Sequence, residues 1–231
     1  MSRISQAFAK KQAFIGYLTA GDAPKERFLS LLKMGVNILE IGIPFSDPVA
    51  DGPVIQKAME RSLLAGTTPE KALQLVSELR KETEAAIVLF TYFNPIQKDL
   101  KGFLSQAKKA GADGVLVVDL PLEESAVYQF LCKAFGLSPI FVIAPSTPPE
   151  RMRAISDAAV GFIYYACRKG TTGARSSLPE DLEQKIAQIR THTDLPIAVG
   201  FGISNRETAN AVLKIADGFV VGSHFVEGKT L

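Results

Sequence analysis

Short apolar runs recur along the chain, rich in β-branched and aromatic residues and without polar alternation. They are AFIGYLTA (13–20), NILEIGI (37–43), AAIVLFTY (85–92), GVLVVDL (114–120), PIFVIAP (139–145), VGFIYYAC (160–167), PIAVGFGI (196–203) and DGFVVGS (217–223). A strand with one wet face would alternate, so these eight read as strands buried on both faces. Between them lie stretches with helical period. PKERFLSLLKMG (24–35) opens on proline and ends near glycine, as a helix does. TPEKALQLVSELRKE (68–82) carries Thr68, Pro69 and Glu70 at its start, an N-terminal signature that TPPERMRAISDA (147–158) repeats. LPEDLEQKIAQIRTH (178–192) and SNRETANAVLKIA (204–216) have the same character.

Strands alternating with helices imply βαβ units and a parallel sheet. Eight units in 231 residues predict a (β/α)8 barrel, a fold that takes about 250. The alternative is an open doubly wound sheet, but no GxGxxG follows the first strand, which weakens a dinucleotide reading. No linker or low-complexity stretch divides the chain, so residues 1–231 are expected to form a single barrel domain.

Composition narrows the function classes. Hydrophobic residues make up 47%, enough for a substantial core, and the net charge of +2 with no clustered basic face argues against nucleic acid. Cys132 and Cys167 are too few and too scattered for a disulfide framework or a metal site, and His192 and His224 have no zinc-site spacing. No metal is expected. No apolar run reaches the ~18 residues of a membrane helix. MSRISQAFAKKQ lacks the apolar centre of a signal peptide. The expectation is a cytoplasmic protein that does not engage the membrane.

One residue breaks the hydrophobic logic. In ILEIGI (38–43), Ile38, Glu40 and Gly42 share one side of the strand and Leu39, Ile41 and Ile43 the other. The bulky side suits the helices, which turns Glu40 into the barrel near its C-terminal mouth, where active sites of this fold form. A desolvated carboxyl has a raised pKa and suits general acid/base work. Asp51 follows eleven positions on, in PFSDPVADGP, stiffened by Pro44, Pro48 and Pro53. Two carboxyls in different surroundings can divide the work, one moving protons and the other stabilising positive charge. The ordinary role of an Asp in such a segment is to cap a turn, and that suits Asp47 better than Asp51.

Three glycine-bearing stretches follow late strands: RKGTTGARSS (168–177), GFGIS (200–204) and GSHF (222–225). Loops after the seventh and eighth strands are where this fold holds phosphate, with backbone N–H groups as donors and Ser204 or Ser223 able to add a hydroxyl. A small phosphorylated substrate is the expectation.

ILEIGIPFSDPVADGP (38–53) closely resembles the signature of the tryptophan synthase α subunit family. So do YLTAGD (17–22), TYFNPI (91–96), GVLVVDLPLEES (114–125), GTTGAR (170–175) and GFGIS (200–204), in family order over nearly the whole chain. The resemblance implies a TIM barrel and a lyase that cleaves indole-3-glycerol phosphate to indole and glyceraldehyde 3-phosphate. It also implies an α2β2 assembly with a β subunit that carries pyridoxal phosphate, and no cofactor on this chain. By the same resemblance Glu40 protonates indole C3 and assists removal of the glycerol hydroxyl proton, Asp51 holds the indole N–H, and Tyr164 assists. Tyr17, Phe90 and Tyr92 line the indole pocket; for these and for Tyr164, ordinary core packing is the competing reading. Phosphate binding falls to Gly173, Gly202, Gly222 and Ser223. Segment 168–175 resembles the loop that closes over the site, bringing Thr172 near Asp51. Loop 44–53 and residues 93–99 are expected to face the β subunit.

Three departures from the family pattern stand out. The first helix, between YLTAGD and NILEIG, is about two turns short. The sequence ends eight residues after Ser223, so the final helix is expected to be largely missing, exposing apolar surface around Phe219 and Val221. Cys167 and Thr171 stand where the family has serine and an aliphatic residue. A shortened frame keeps a second function open, a non-catalytic partner that only activates the β subunit, although the two carboxylates disfavour it.

Overall fold

The computed structural model describes residues 1–9, 12–167, 178–200 and 202–231. Its strands are β1 (Ala13–Thr19), β2 (Ile38–Gly42), β3 (Ala86–Thr91), β4 (Gly114–Val117), β5 (Ser138–Ile143), β6 (Ile163–Ala166), β7 (Ile197–Gly200) and β8 (Gly218–Val221). Each pairs in parallel with the next, and β8 closes on β1 through Ala13↔Gly218 to Gly16↔Val221. The eight runs read from the sequence are these eight strands.

The helices are α1 (Arg3–Phe8), α2 (Lys25–Lys33), α3 (Pro53–Leu64), α4 (Pro69–Arg80), α5 (Asn94–Gln97), α6 (Leu100–Ala110), α7 (Ala126–Phe135), α8 (Pro149–Ala158), α9 (Leu182–Arg190), α10 (Arg206–Leu213) and α11 (Ser223–Val226). Local chemistry starts several of them. The Thr68 hydroxyl accepts from Lys71 N–H ahead of α4, and the Asp99 carboxylate from Gly102 N–H ahead of α6. Alternation along the strands divides the core. Leu39, Ile41, Ile87, Leu89 and Val115 pack outward against the helices, while Ile15, Ile38, Val88, Leu116 and Ile140 fill the barrel. At β2 this puts Glu40 and Gly42 inside, as the pattern implies.

The end away from the β→α loops is sealed. Ile4 and Phe8 of α1 are buried there, with Phe8 5.2 Å from Phe162 between ring centroids. Two matching devices brace the same end. Asp113, just before β4, accepts from Arg80 of α4 and from Ile87 N–H. Asp217, just before β8, accepts from Arg190 of α9 and from Ile197 N–H. Thr83 and Thr193 repeat the likeness, each hydroxyl capping the N–H two residues on.

Exposure expected at Phe219 and Val221 does not occur: they are 5% and 0% exposed. Phe14 of β1 stacks on Phe219 at 4.6 Å and meets Phe225 of α11 at 5.9 Å. Arg27 of the nine-residue α2 reaches over to donate to the Lys229 carbonyl at 2.8 Å and the Phe225 carbonyl at 3.4 Å. An aromatic cluster and one arginine thus cover the surface of β8.

Candidate functional site

Register places Glu40 between Tyr17 of β1 and Val88 of β3. Its side chain is inside the barrel, the residue is 1% exposed, and Oε1 has no hydrogen-bond partner among the described residues. An ionised carboxylate here would be costly, and burial, with a further push from the Asp51 charge, raises its pKa from 4.5 to about 8. At neutral pH Glu40 therefore carries a proton it can give away.

Asp51 arrives on the loop between β2 and α3. Turn bonds from Val49 N–H to Asp47 O and from Asp51 N–H to Pro48 O fold that loop back, and Gln56 of α3 holds the Asp51 carbonyl at 2.8 Å. Asp47 is exposed and takes a bond from the Ser46 hydroxyl, so it is a turn former. Asp51 is 1% exposed. Burial pushes its carboxyl up to about 6, while a bond donated by Tyr92 pulls the other way. It is mostly ionised at neutral pH. The two carboxyls are held in opposite protonation states by their surroundings.

Tyr92 does something other than line the pocket. It is wholly buried, donates to Asp51 Oδ2 at 2.7 Å and accepts from Ala50 N–H at 3.1 Å. It orients Asp51 and ties down the loop from behind. Phe90 and Tyr17 do line the pocket, their rings meeting edge to face at 5.7 Å. Tyr164 lines it from β6, fully desolvated, its phenol pushed well up by burial and by the charges of Glu40 and Asp51.

Two glycines make room for the two tyrosines. A Cβ on Gly42 would stand 2.2 Å from Tyr17 Oη, and one on Gly200 would stand 2.3 Å from Tyr164 Oη. In both cases a tyrosine on one strand leans across the next strand onto a glycine two residues beyond its register partner, Glu40 or Ala198. Sequence reading assigned no role to Gly42 and took Gly200 only as part of the GFGIS phosphate stretch; a small residue on the inward face of a strand was the available signal.

The pocket encloses ≈ 650 Å³ of empty space, its open mouth included. Apolar walls come from Ile55, Val118, Val142 and Val220, none of them singled out from sequence. Val118 and Val142 lie two residues beyond the inward-facing Leu116 and Ile140, so the period of two was enough to find them. Gly222, Ser223 and His224, where β8 runs into α11, line the pocket together with Gly202, which follows β7. In the four-residue α11 the Phe225 and Val226 N–H groups bond back to the Gly222 carbonyl, which leaves those of Ser223 and His224 without an intrahelical partner. Thr172 and Gly173, with the rest of segment 168–175, lie outside the described residues. Among the described residues no group of three or more His, Cys, Asp or Glu side chains is placed to hold a metal, and no helix is long and apolar enough to cross a membrane.

Residues 4–229 match the family described as Tryptophan synthase alpha chain. The tryptophan synthase alpha chain of Coxiella burnetii (strain CbuK_Q154) is 52% identical, the match covering 98% of this chain and 90% of that one. The one from Chlamydia felis is 48% identical, covering 98% and 91%. Among solved structures, Mycobacterium tuberculosis tryptophan synthase superposes with a TM-score of 0.91 at 32% identity, covering 98% of this chain and 90% of that one. The tryptophan synthase α2β2 complex of Pyrococcus furiosus gives 0.86 at 40% identity, covering 93% and 89%.

Proposed function

Because the chain belongs to the tryptophan synthase alpha chain family, a lyase family that cleaves indole-3-glycerol phosphate, we propose that Glu40 and Asp51 carry that reaction here. The observation behind this assignment is a wholly buried Glu40, protonated at neutral pH and with an unpartnered oxygen, beside an ionised Asp51.

The chemistry runs as a retro-aldol step. Glu40 gives its proton to indole C3, which turns the ring into an indoleninium with positive charge shared by the ring nitrogen. Asp51 accepts the N–H and stabilises that charge, oriented by Tyr92. The Glu40 carboxylate then takes the proton of the glycerol hydroxyl next to C3. The C–C bond breaks, its electron pair returns to the indole ring, and the hydroxyl carbon becomes the aldehyde of glyceraldehyde 3-phosphate. One carboxyl thus acts as acid and then as base, ending in the form in which it began. Tyr17, Phe90 and Tyr164 wall the indole; Tyr164 also sits among the reacting groups. Backbone donors around Gly202, Gly222 and Ser223 suit the phosphate dianion.

Indole is consumed by a β subunit, to which pyridoxal phosphate belongs in this family, within an α2β2 assembly. The β2–α3 loop supports a docking role: Val49 is 74% exposed, and Leu64 of α3, in the wall of the same groove, is 82% exposed. Residues 1–231 act as one barrel domain, and two buried cysteines suit a reducing cytoplasm.

The test is glyceraldehyde 3-phosphate release from indole-3-glycerol phosphate with the β subunit in excess. Release that Glu40→Gln abolishes is the expected result. A folded, β-bound chain that releases nothing would instead be an activating partner with an idle site.

A further inference from the structure

The inward face of β1 carries two hydroxyls. Tyr17 and Thr19 are 3% and 1% exposed, and their oxygens lie 3.2 Å apart. Tyr17 is the register partner of Glu40, and Thr19 that of Gly42. The phenol leans onto β2 so closely that a Cβ on Gly42 would meet its oxygen at 2.2 Å. Gly42 lies two residues beyond Glu40 on the same face, about 7 Å along the strand towards the mouth. The phenolic oxygen is therefore held one same-face step from Glu40, within reach of a glutamate side chain. A wall for an indole ring needs no hydroxyl, and a buried hydroxyl is costly unless it is bonded. Thr19 satisfies one side of this one, and Glu40 Oε1 is a buried oxygen with no hydrogen-bond partner among the described residues.

We propose that Tyr17 is a positioning residue for Glu40: with its oxygen held by the Thr19 hydroxyl, it donates its phenolic proton in a hydrogen bond to the Glu40 carboxylate that forms when Glu40 protonates the substrate. The inference rests on the role assigned above to Glu40. No proton leaves Tyr17, because burial, then the charges of Asp51 and Glu40, push its phenol far above the usual range. Thr19 donates to Tyr17, and Tyr17 donates to Glu40. Other groups also face Glu40 across the pocket. Asp51, from the loop after β2, repels the charge; β3 presents Val88 and Phe90; Tyr164 comes from β6 and His224 from α11. No Lys or Arg is among the described residues of the pocket wall.

The test uses the α2β2 complex, with kcat and KM for indole-3-glycerol phosphate measured across pH, and Glu40 titrated directly by its carboxyl ¹³C shift. Tyr17→Phe removes one oxygen and keeps the ring. Loss of a donor to the charged form should move the Glu40 limb of the kcat profile, and its ¹³C midpoint, up by about one pH unit. It should also lower kcat about tenfold, with KM changed less than about twofold. Thr19→Val should move both the same way by less, and it decides the matter if Tyr17→Phe does not fold. A wall alone predicts a raised KM with the pH profile and the ¹³C midpoint unmoved, and that result overturns the proposal. Glu40→Gln separates the two claims. If it stays active, the role of Glu40 fails, and the ¹³C midpoint still decides whether Tyr17 bonds to it. If it is inactive while Tyr17→Phe matches the parent at every pH, only the Tyr17 proposal fails.

Discussion

Replacing Glu40 by glutamine keeps the shape of the side chain and deletes its charge, and it should exchange activity for stability. In the folded chain Glu40 titrates at about 8, against an ordinary 4.5. The folded value is the higher one, so the unfolded chain releases this proton first as pH rises. The stability associated with it is fully present below pH 4.5, declines through the window up to about 8, and is gone above. The difference between about 8 and 4.5 is 3.5 units, or about 5 kcal/mol at 1.36 kcal/mol per unit. Glutamine has no such window. Between about pH 5.5 and about pH 9 the stability of Glu40→Gln relative to the parent should therefore improve by about 3 kcal/mol. Asp51, raised from 3.8 to about 6, adds a smaller decline at lower pH that both proteins share. Urea unfolding at the two pH values reads the effect as a midpoint gap widening by about 1 M. Midpoints that fall in parallel would refute the reasoning, because Glu40 would then titrate alike in both states. Lyase activity of the same variant should be lost at every pH.

Tyr92→Phe should raise the Asp51 pKa above about 6 by one unit or more, because it removes the 2.7 Å bond to the carboxylate; the acidic limb of kcat should move up, and an unchanged limb would count against Asp51 as the charge-stabilising group. Gly200→Ala puts a methyl 2.3 Å from Tyr164 Oη. It should cost about 1–3 kcal/mol in urea unfolding and lower kcat by displacing that ring, so a variant of full activity would argue that the position of Tyr164 is immaterial. Arg80→Ala leaves Asp113, 10% exposed at its side chain, with its main cation gone. The expected loss is about 3–5 kcal/mol with kcat at pH 7 unaffected in the folded fraction, since this pair braces the end of the barrel away from the site.

Much of the architecture follows from local pattern. Each strand is one run of apolar residues between turn signals, and period-two alternation at β2 is enough to turn Glu40 inward and Leu39, Ile41 and Ile43 outward. The short helices α1, α5 and α11 escaped notice because four to six residues hold too few apolar positions to show a period, and the longer α3, α6 and α7 were not singled out from the sequence either. The cover over Phe219 was equally invisible. It joins Phe14, Phe225 and Arg27, residues far apart in the chain, and no local pattern reports that a ring from β1 will lie on β8.

The chain itself determined the eight strands, the face on which Glu40 stands, and the stiffened loop that carries Asp51, because these depend on side-chain alternation and backbone restriction over a few residues. Tertiary structure alone decided which protonation state each carboxyl holds and who holds it there. Burial comes from all eight strands closing. Tyr92 meets Asp51 across 41 positions, and Tyr17 finds its seat on Gly42 only when β1 and β2 pair in this register. A pKa is set by the field and solvent around a group in space, and closure of the barrel is what creates that space.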